Sequence, residues 1–268
     1  MTLLPVGDDG RQRVAKLMAW RGLCSRREAE RLIVNGEVMV DGVVVREPGS
    51  KCLPDAAICL RSRGQRWLSQ SVSVLLHKPC GVVSTQPEGD QVPAWQLLAS
   101  DALHGPADPA LVRRVMTKPW TLAVAGRLDR ESRGLLLLTQ DGTLARLVTG
   151  SGRIAKRYRV ELAEVVGDHH LRALNRPMRL DDRPLRPMQV TRLGGRCLAF
   201  VLHEGRKHQI RRVCAALSLT VTDLLREAIG PCQLGDLPVG CWRPVRPKEL
   251  EQLAADRRQP RGSGAGDG

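Results

Sequence analysis

The sequence is poor in aromatic residues, which limits the ways in which it can bind a partner. Only 3% of its 268 residues are aromatic, and they include one tyrosine and one phenylalanine. Proteins that bind single-stranded nucleic acid without sequence preference usually stack successive bases on several aromatic rings. A surface built mainly on aromatic stacking is therefore not expected.

Several other features are also absent from the sequence, and each absence removes a class of protein. The eight cysteines form no C-x-x-C pair, which argues against a zinc ribbon or a redox motif. No metal-ligand cluster, phosphate loop or cofactor fingerprint is present. The first residues, MTLLPVGDDG, lack a signal-peptide pattern, and no apolar run reaches the ~18 residues of a membrane span. We expect a cytoplasmic protein with reduced thiols and no membrane association.

Positive charge, by contrast, is abundant. The chain has 42 Lys and Arg against 28 Asp and Glu, which gives a formal net charge of +14. An excess of this size makes a polyanion such as nucleic acid the first partner to consider. Most of the cations are arginines, which pair with phosphate in bidentate fashion and stack on bases. A basic protein without a nucleic-acid partner is the alternative.

Residues 11–60 are predicted to form a small module of two helices and a hairpin. Apolar residues at helical spacing in RQRVAKLMAWRG predict the first helix. Ser25 and Glu28 form a capping box at the start of the second helix. The dipeptide Asp41-Gly42, between two short strand-like runs, predicts a tight hairpin turn.

The second helix of this module begins with two arginines, Arg26 and Arg27. The helix dipole disfavours cations in a first turn, and an anionic ligand at the helix start would explain their presence. The alternative is a solvated face with ion pairs, and Arg26 with Glu30 fits it. Arg27 and Arg31, however, are like charges at the same spacing, which weakens that alternative.

The segment SRREAERLIVNGEVMVDG resembles the small RNA-binding domain of the ribosomal-protein S-four type. The resemblance covers about residues 11–60. It implies that Arg26, Arg27 and Arg31 face RNA.

The rest of the chain is predicted to contain a polar linker over residues 61–73 and a larger domain over residues 74–253. Short strand-like segments predominate in the larger domain, and helical patterns such as HQIRRVCAAL interrupt them. This mixture predicts an α+β domain with a mixed, largely antiparallel central sheet and flanking helices. Residues 1–10 are predicted to be a flexible N-terminus, and residues 254–268 a disordered tail.

The stretch GRLDRESRGLLLLTQDG, residues 126–142, places five charged residues among seven directly before four leucines. GLLLLT has no polar alternation, so both faces of that strand are expected to be buried. Asp129 is then predicted to lie in a short loop at the entrance to the strand, between Arg127 and Arg130. A guanidinium keeps a neighbouring carboxylate ionised, and such a carboxylate can act as nucleophile or base. The alternative is an ion pair that only closes the loop.

The same stretch resembles the signature of the RNA pseudouridine synthases, in which R-L-D before a Leu-rich strand carries the catalytic aspartate. LLHKPCGVVST, KRYRVEL, EGRKHQIRRVCAAL and REAIGPCQLGDLPVGCWRPV resemble further segments of that family, in the same order. With the N-terminal module, the resemblance spans about residues 11–250. It points to the branch containing RsuA, RluB, RluE and RluF, and most closely to the RluF type. His77 and Ser132 depart from the residues usual in that family.

The resemblance implies catalytic roles for three residues. Asp129 matches the aspartate needed to break the glycosidic bond of a uridine, so that the base turns and rejoins through C5. Whether the carboxylate attacks the sugar or base, or removes a ribose proton, stays open. Tyr158 matches the tyrosine that packs on the target base and is a candidate to assist proton removal from C5; an ordinary strand residue is the alternative. Arg211 matches the basic residue that pairs with the aspartate; a phosphate-contacting helix face is the alternative.

The family resemblance also implies an activity and a partner. The expected reaction is the isomerisation of uridines in ribosomal RNA, most closely in large-subunit RNA, by a monomer that needs no cofactor; a transfer RNA is a further candidate substrate. A target base must leave its stack, which favours loops and ends of the RNA. The alternative function is a non-catalytic RNA-binding or ribosome-assembly factor that keeps the fold. Besides the N-terminal arginines, the candidate RNA contacts are Arg127, Arg130, Arg206, Lys207 and Arg212.

Overall fold

The computed structural model describes residues 9–150 and 152–258, which divide into two compact units. The first unit comprises Met1–Val72 with Thr139–Thr143, and the second comprises the remainder. Most of the predicted flexible N-terminus and most of the predicted tail lie outside the described residues. Within the described ranges, no helix has the length and apolar character needed to cross a membrane.

The first unit contains three helices and two small sheets among its described residues. In chain order its elements are β1 (Gln12–Arg13), α1 (Val14–Trp20), α2 (Arg26–Val34), β2 (Val38–Val40), β3 (Val43–Val45), β4 (Lys51–Cys52), β5 (Ile58–Leu60) and α3 (Ser62–Ser69). Strand β2 lies between β3 and β5 in an antiparallel sheet, and β1 pairs with β4. Helices α1 and α2 bury their apolar faces in one core with this sheet. The predicted helices and hairpin are thus confirmed.

A capping box marks the start of α2, and two left-handed residues form the hairpin turn. The Glu28 backbone N–H donates to Ser25 Oγ at 3.3 Å, and the Ser25 N–H donates to Glu28 Oε2 at 2.6 Å, so the predicted capping box is present. Asp41 and Gly42 have φ angles of 49° and 81°. Two successive left-handed residues match the twist of a tight hairpin, as the dipeptide predicts.

The prediction of a polar linker over residues 61–73 is wrong for most of its length. Helix α3 occupies Ser62–Ser69, and Leu68 packs against the apolar core of the first unit. The Gly64 N–H donates to Glu37 Oε2 at 3.1 Å, and a Cβ on Gly64 would lie only 2.9 Å from the Glu37 Cβ. The helix packs through a glycine and a single leucine, so it lacks the apolar stripe by which a sequence reveals a helix.

The second unit is built on one large sheet. Its elements in chain order are β6 (Ser73–Lys78), α4 (Pro109–Thr117), β7 (Ala123–Val124), β8 (Arg133–Thr139), α5 (Gly142–Gly150), β9 (Lys156–Leu162), α6 (Asp168–Leu174), β10 (Arg179–Leu180), β11 (Arg183–Pro184), β12 (Gln189–Gly194), β13 (Cys197–Leu202), α7 (Gln209–Ala215), β14 (Val221–Ile229), β15 (Cys232–Gln233), β16 (Trp242–Pro244) and α8 (Pro247–Arg258). Short 3-10 helices occupy Ala94–Leu97 and Pro119–Thr121.

The strand order of the large sheet is β12-β13-β9-β14-β8-β6-β16, with β7 paired to β8 and β15 paired to β14. Strand β14 runs parallel to β8, whereas the β12–β13, β13–β9, β9–β14 and β6–β16 pairs are antiparallel. Strands β10 and β11 form a separate antiparallel pair. The predicted α+β domain with a mixed, largely antiparallel sheet is confirmed.

Strand β8 lies in the middle of this sheet and is covered on both faces. Its four leucines, Leu135 to Leu138, are no more than 1% exposed, as the unbroken apolar run predicts. Helix α5 packs Leu144, Leu147 and Val148 into the same apolar core as Leu135. Burial of Leu135 to Leu138 therefore fixes the position of the first residues of β8.

Helix α8 extends into the stretch that was predicted to be a disordered tail. It runs to Arg258, and Leu253 on its inner face is fully buried. The Arg243 guanidinium donates two hydrogen bonds to the Glu249 carboxylate, at 2.9 and 2.7 Å, in a largely buried pair. This ion pair and one leucine fix the helix, and neither produces a strong apolar pattern at the chain end.

The close approach of β8 to β14 requires glycine at position 134. Gly134 has a φ of 111°, and a Cβ there would lie 2.4 Å from the carbonyl oxygen of Arg226 and 2.6 Å from its nitrogen. Both contacts are with backbone atoms, which cannot move aside as a flexible side chain could. A side chain at this position would therefore force the two strands apart.

We expect Gly134→Ala to lower the free energy of unfolding by about 3 kcal/mol or more, because backbone strain and a steric clash add together. Thermal or urea unfolding measures the loss. Gly105→Ala is the matched control, since Gly105 also has a left-handed φ, 78°, but has open space where its Cβ would lie. Equal destabilisation by the two substitutions would contradict the proposed clash.

Candidate active site

The loop between β7 and β8 carries Asp129 into a cleft of about 670 Å³. Segments from several parts of the second unit form the walls of this cleft, and they contribute Val83–Thr85, Gly126–Arg130, Tyr158 on β9 and Gly205–His208. The cleft is polar and basic, since six of its lining residues are arginine or lysine. A space of this kind suits a small polar group attached to an anionic chain.

Ser84 fixes the residue that precedes the aspartate. Its hydroxyl donates to the Leu128 carbonyl at 2.5 Å and accepts from the Leu128 N–H at 2.9 Å. Both Ser84 and Leu128 are buried, so these bonds are protected from water. On the other side, the Ser132 N–H donates to the Asp129 carbonyl at 3.1 Å. The backbone of Asp129 is thus held from both directions.

Lys78 ties this loop to the segment LLHKPCG. Its ammonium donates to the carbonyls of Pro79 and Val82, both at 2.8 Å, and to that of Arg130 at 3.4 Å. The side chain is fully buried, and burial lowers the pKa of Lys78 to about 8. The Gly81 N–H also donates to the Arg130 carbonyl, at 2.9 Å. A buried cation therefore organises two loops around the aspartate.

Arg226 on β14 holds the start of the same loop. Its Nε donates to the Leu135 carbonyl at 2.7 Å, and its guanidinium nitrogens donate to the carbonyls of Gly126 at 2.8 Å and Arg127 at 3.4 Å. The residue is only 1% exposed. Among the described residues its hydrogen-bond partners are carbonyls and not carboxylates. Burying an arginine without a carboxylate is unfavourable unless such dipoles compensate it. The burial of Arg226 therefore depends on the loop keeping these carbonyls in place.

The Asp129 carboxylate remains accessible, with its side chain 30% exposed. Its Oδ1 lies 3.5 Å from Nε2 of His208, at the start of α7. His208 has a left-handed φ of 52°, a conformation that is unfavourable for a residue with a side chain and is often found at functional sites. The predicted neighbours Arg127 and Arg130 are exposed on either side of the aspartate and line the cleft.

Arg211 does not make the contact that the family resemblance implies. Its guanidinium donates to the carbonyls of Glu131 and Val221, both at 3.2 Å. Across the described chain, the basic side chain within ion-pairing distance of Asp129 is His208, whose charge depends on protonation. The expected ion pair between Asp129 and Arg211 is therefore not formed among the described residues. Arg211 instead bonds to the loop backbone two residues beyond the aspartate.

Tyr158 lies on the floor of the cleft, in the centre of the sheet. In register it stands between Phe200 on β13 and Arg226 on β14, and it is 8% exposed. Lys156, two residues earlier on the same face of β9, donates to the Val148 carbonyl at 2.6 Å and also lines the cleft. Burial lowers the pKa of Lys156 to about 8. The ring of Tyr158 and the carboxylate of Asp129 thus share one cavity.

The other predicted RNA contacts in the second unit differ in their surroundings. Lys207 is exposed and lines the cleft. Arg206 also lines it, but its guanidinium donates to the carbonyls of Leu180, Arg183 and Pro184 and so holds the β10–β11 pair. Arg212 is outside the cleft lining and pairs with Asp181, with nitrogen–oxygen distances of 2.5 and 3.0 Å. Arg206 and Arg212 therefore have structural partners of their own.

The predicted RNA-facing arginines of the first unit all lie on α2. Arg26, Arg27 and Arg31 are exposed. Arg26 Nε lies 3.3 Å from Glu30 Oε1, which is the surface ion pair expected from their spacing. This ion pair engages one of the three arginines, Arg26.

Sequence reasoning did not identify several residues that shape the cleft: Lys78, Ser84, Lys156, His208 and Arg226. Each lies within a segment that resembles the family. Lys156 shares strand parity with Tyr158 and Val160, which are buried, and this parity was an available signal for burial of the lysine. Within the described residues, no group of three or more His, Cys, Asp or Glu side chains is placed to hold a metal ion.

The fold and the cleft define an α+β enzyme domain that carries an accessible carboxylate in a basic pocket. The family model described as RNA pseudouridylate synthase matches residues 72–216, and that of the S4 domain matches residues 12–58. The chain belongs to the RNA pseudouridylate synthase family.

Relatives extend over most of the chain. An uncharacterized RNA pseudouridine synthase of Mycobacterium leprae is 35% identical and covers 91% of this chain and 93% of its own length. The ribosomal small subunit pseudouridine synthase A of Pseudomonas aeruginosa is 32% identical, and the match covers 84% of this chain and 93% of the relative. The ribosomal large subunit pseudouridine synthase B of Bacillus subtilis is 31% identical, and the match covers 91% of this chain and 96% of the relative. The resemblance to the RluF type is not confirmed.

A solved structure of a pseudouridylate synthase has the same fold. It is 28% identical in sequence, with a TM-score of 0.61, and the alignment covers 90% of this chain and 99% of that chain. The aligned part of the sequence therefore includes residues of both units.

We expect Arg226→Lys to lower kcat by at least ~100-fold while RNA affinity changes less than ~threefold. Lysine keeps the charge but lacks the fork that reaches three carbonyls, and a displacement of about 1 Å at a reacting group has an effect of this size. Single-turnover kinetics and RNA binding measure the two quantities. Arg159→Lys, on the exposed face of the neighbouring strand, is the control. A normal kcat in a folded Arg226→Lys enzyme would show that the loop does not depend on this arginine.

Proposed function

We propose that this chain isomerises uridine to pseudouridine in large-subunit ribosomal RNA, with Asp129 as the catalytic carboxylate. One observation carries the proposal: an accessible carboxylate lies in a basic cleft, on a loop whose backbone is held by the buried side chains of Lys78, Ser84 and Arg226. Such fixed positioning of a reactive group supplies a large part of enzymatic rate enhancement.

The reaction breaks the bond between N1 and C1′ of a uridine, turns the base and forms a bond between C5 and C1′. C5 then loses its proton and N1 gains one, so the product is an isomer of the substrate. Attack by the carboxylate and removal of a ribose proton by the carboxylate both require Asp129 to be ionised. Arg127 and Arg130 flank the aspartate and line the cleft with it, and Nε2 of His208 lies 3.5 Å from its Oδ1.

Tyr158 is proposed to contact the target base. Its ring shares the cleft with Asp129, and its backbone lies in register between Phe200 and Arg226 in the sheet. A ring fixed in this way offers a stacking face at little entropic cost, and its hydroxyl is a candidate to assist proton removal from C5. The base must leave its stack to enter the cleft, so an unpaired or looped uridine is the expected substrate.

Arg211 is proposed to act as a positioning residue. It bonds to the Glu131 carbonyl, in the same loop as Asp129, and to the Val221 carbonyl at the start of β14. Its Nε is buried without a hydrogen-bond partner. Arg211 also lines a pocket with Asp129 and Tyr158, so this N–H is a candidate donor to the RNA.

The first unit and the cleft rim are proposed to hold the RNA backbone. Arg26, Arg27 and Arg31 are exposed on α2, and Lys207 is exposed at the cleft. Contacts of this kind release counterions and dominate affinity without selecting a sequence. We propose that the protein acts as a monomer, and that a transfer RNA is a further candidate substrate.

The relatives include a large-subunit synthase of Bacillus subtilis, 31% identical, and a small-subunit synthase of Pseudomonas aeruginosa, 32% identical, so the choice of large-subunit RNA is tested directly below. A non-catalytic RNA-binding factor is the alternative function. The geometry favours the enzyme, since a carboxylate in a basic cleft opposes RNA binding unless it takes part in chemistry.

We expect Asp129→Asn to abolish turnover, because it preserves shape and removes the charge. The assay is tritium release from ribosomal RNA labelled at uridine C5, with large- and small-subunit RNA tested in parallel. Glu131→Gln, which neutralises an exposed carboxylate of the same loop, is the matched control and is expected to retain activity. Appreciable release by Asp129→Asn would overturn the assignment, and release from small-subunit RNA alone would overturn the substrate.

For Tyr158, two substitutions separate stacking from proton transfer. Tyr158→Phe keeps the ring and loses the hydroxyl, so we expect normal RNA binding and turnover at least ~100-fold slower, the usual scale of a lost general acid or base. Tyr158→Leu also loses the stacking face and should bind RNA more weakly. Near-normal turnover by Tyr158→Phe would limit the residue to stacking, and a fully active Tyr158→Leu enzyme would exclude it from the site.

A further inference from the structure

A pair of tryptophans lies beside the cleft wall and has no part in the mechanism described above. Trp95 and Trp120 are in edge-to-face contact, with ring centroids 6.2 Å apart and planes inclined by 74°. Trp120 is 60% exposed, more than the other exposed tryptophans of the described chain, Trp20 at 46% and Trp67 at 42%. A large exposed ring that packs against a second indole offers a fixed flat face to a partner.

The position of Trp120 is rigidly defined. It lies on the 3-10 helix Pro119–Thr121, which is closed by hydrogen bonds from the Thr121 and Leu122 backbone N–H groups. Val115, which precedes it in α4, and Leu122, which follows it, are both buried. The ring is therefore presented to solvent by anchors on either side, and little conformational entropy would be lost when a flat partner packs against it.

Both tryptophans lie on segments that connect to the wall of the catalytic cleft. The Ala94 N–H, next to Trp95, donates to the carbonyl of Val83 at 2.8 Å, and Val83 lines the cleft. On the other side, Val124 follows Trp120 by four residues and lines the same cleft. The segments that carry the two tryptophans are thus joined to residues of the cleft wall, by this hydrogen bond and by four residues of chain.

The charges around Trp120 fit a polyanion. The segment from Pro109 to Leu128 contains no acidic residue. Arg113 and Lys118, within it, are exposed. An exposed indole that follows exposed cations in the chain is a combination suited to single-stranded nucleic acid, since bases stack on the ring and phosphates pair with the cations.

We propose that Trp120 stacks on an unpaired nucleotide of the substrate RNA that flanks the target uridine. Trp95 supports the ring from its edge, and Lys118 contacts the adjoining phosphate. This surface selects RNA that is also single-stranded on the side of the isomerised base that reaches Trp120, and not only at that base. The inference rests on the proposed function, which supplies the RNA in the neighbouring cleft.

The test compares the full-length protein with Trp120→Leu and Trp120→Phe. Leucine keeps an apolar side chain against Trp95 but removes the flat face, whereas phenylalanine keeps that face. We expect Trp120→Leu to bind a labelled oligouridylate of about 12 nucleotides about tenfold more weakly, and Trp120→Phe to stay within about threefold of the wild type. Affinity for an RNA duplex of the same length should not change. With ribosomal RNA, Trp120→Leu should raise KM and leave kcat nearly unchanged.

The control is Leu193→Ala, which shortens a side chain of similar exposure, 54%, on β12 of the same unit and should alter neither affinity nor KM. Photocrosslinking of wild-type protein to an oligouridylate containing 4-thiouridine provides a readout that needs no variant. We expect a crosslink within residues 116–121. Absence of a crosslink there would overturn the proposal.

Unchanged oligouridylate affinity in Trp120→Leu would overturn the proposal, as would an equal loss of affinity for duplex RNA. Sedimentation identifies another occupant: a wild-type dimer that Trp120→Leu dissociates, with RNA binding intact, would make this surface a contact between two copies of the chain. Failure of the proposed function looks different, because the wild-type enzyme would then release no tritium from ribosomal RNA, whatever residue stands at position 120.

Discussion

The catalytic loop depends on buried cations that bond to backbone carbonyls. Arg226 bonds to the carbonyls of Gly126, Arg127 and Leu135, and Lys78 bonds to that of Arg130. Each cation loses its hydration on burial, and it recovers part of that energy only when the carbonyls converge on it. The requirement works in both directions: the loop is held in one conformation because the charges must be satisfied, and the charges are tolerated because the loop supplies the carbonyls.

This constraint links the sheet to the chemistry. Arg226 reaches the loop because β14 runs parallel to β8 at Gly134, where the missing side chain lets the two backbones meet. Tyr158 stands next to Arg226 in register, so one strand pair positions both the ring and the loop of the aspartate. The charged segment before the four leucines is therefore the junction between a buried strand and an accessible carboxylate.

Much of this arrangement could be predicted from local sequence. The leucine run identified a strand buried on both faces, the Ser25–Glu28 capping box identified the start of a helix, and the position of Asp129 followed from its place before the strand. The burial of Arg226 could not be predicted, because its carbonyl partners lie about 100 residues away in the chain. The proximity of His208 to Asp129 depends on a left-handed residue at the start of α7, which no local pattern indicated.

The most direct test of the whole account is to map pseudouridines in ribosomal RNA from cells that lack this gene. The account predicts that at least one large-subunit position, in a loop or another single-stranded region, changes from pseudouridine to uridine. Wild-type protein should restore the modification, and protein with Asp129→Asn should not. An unchanged pseudouridine map in the deletion strain, or restoration by the Asp129→Asn protein, would contradict the account.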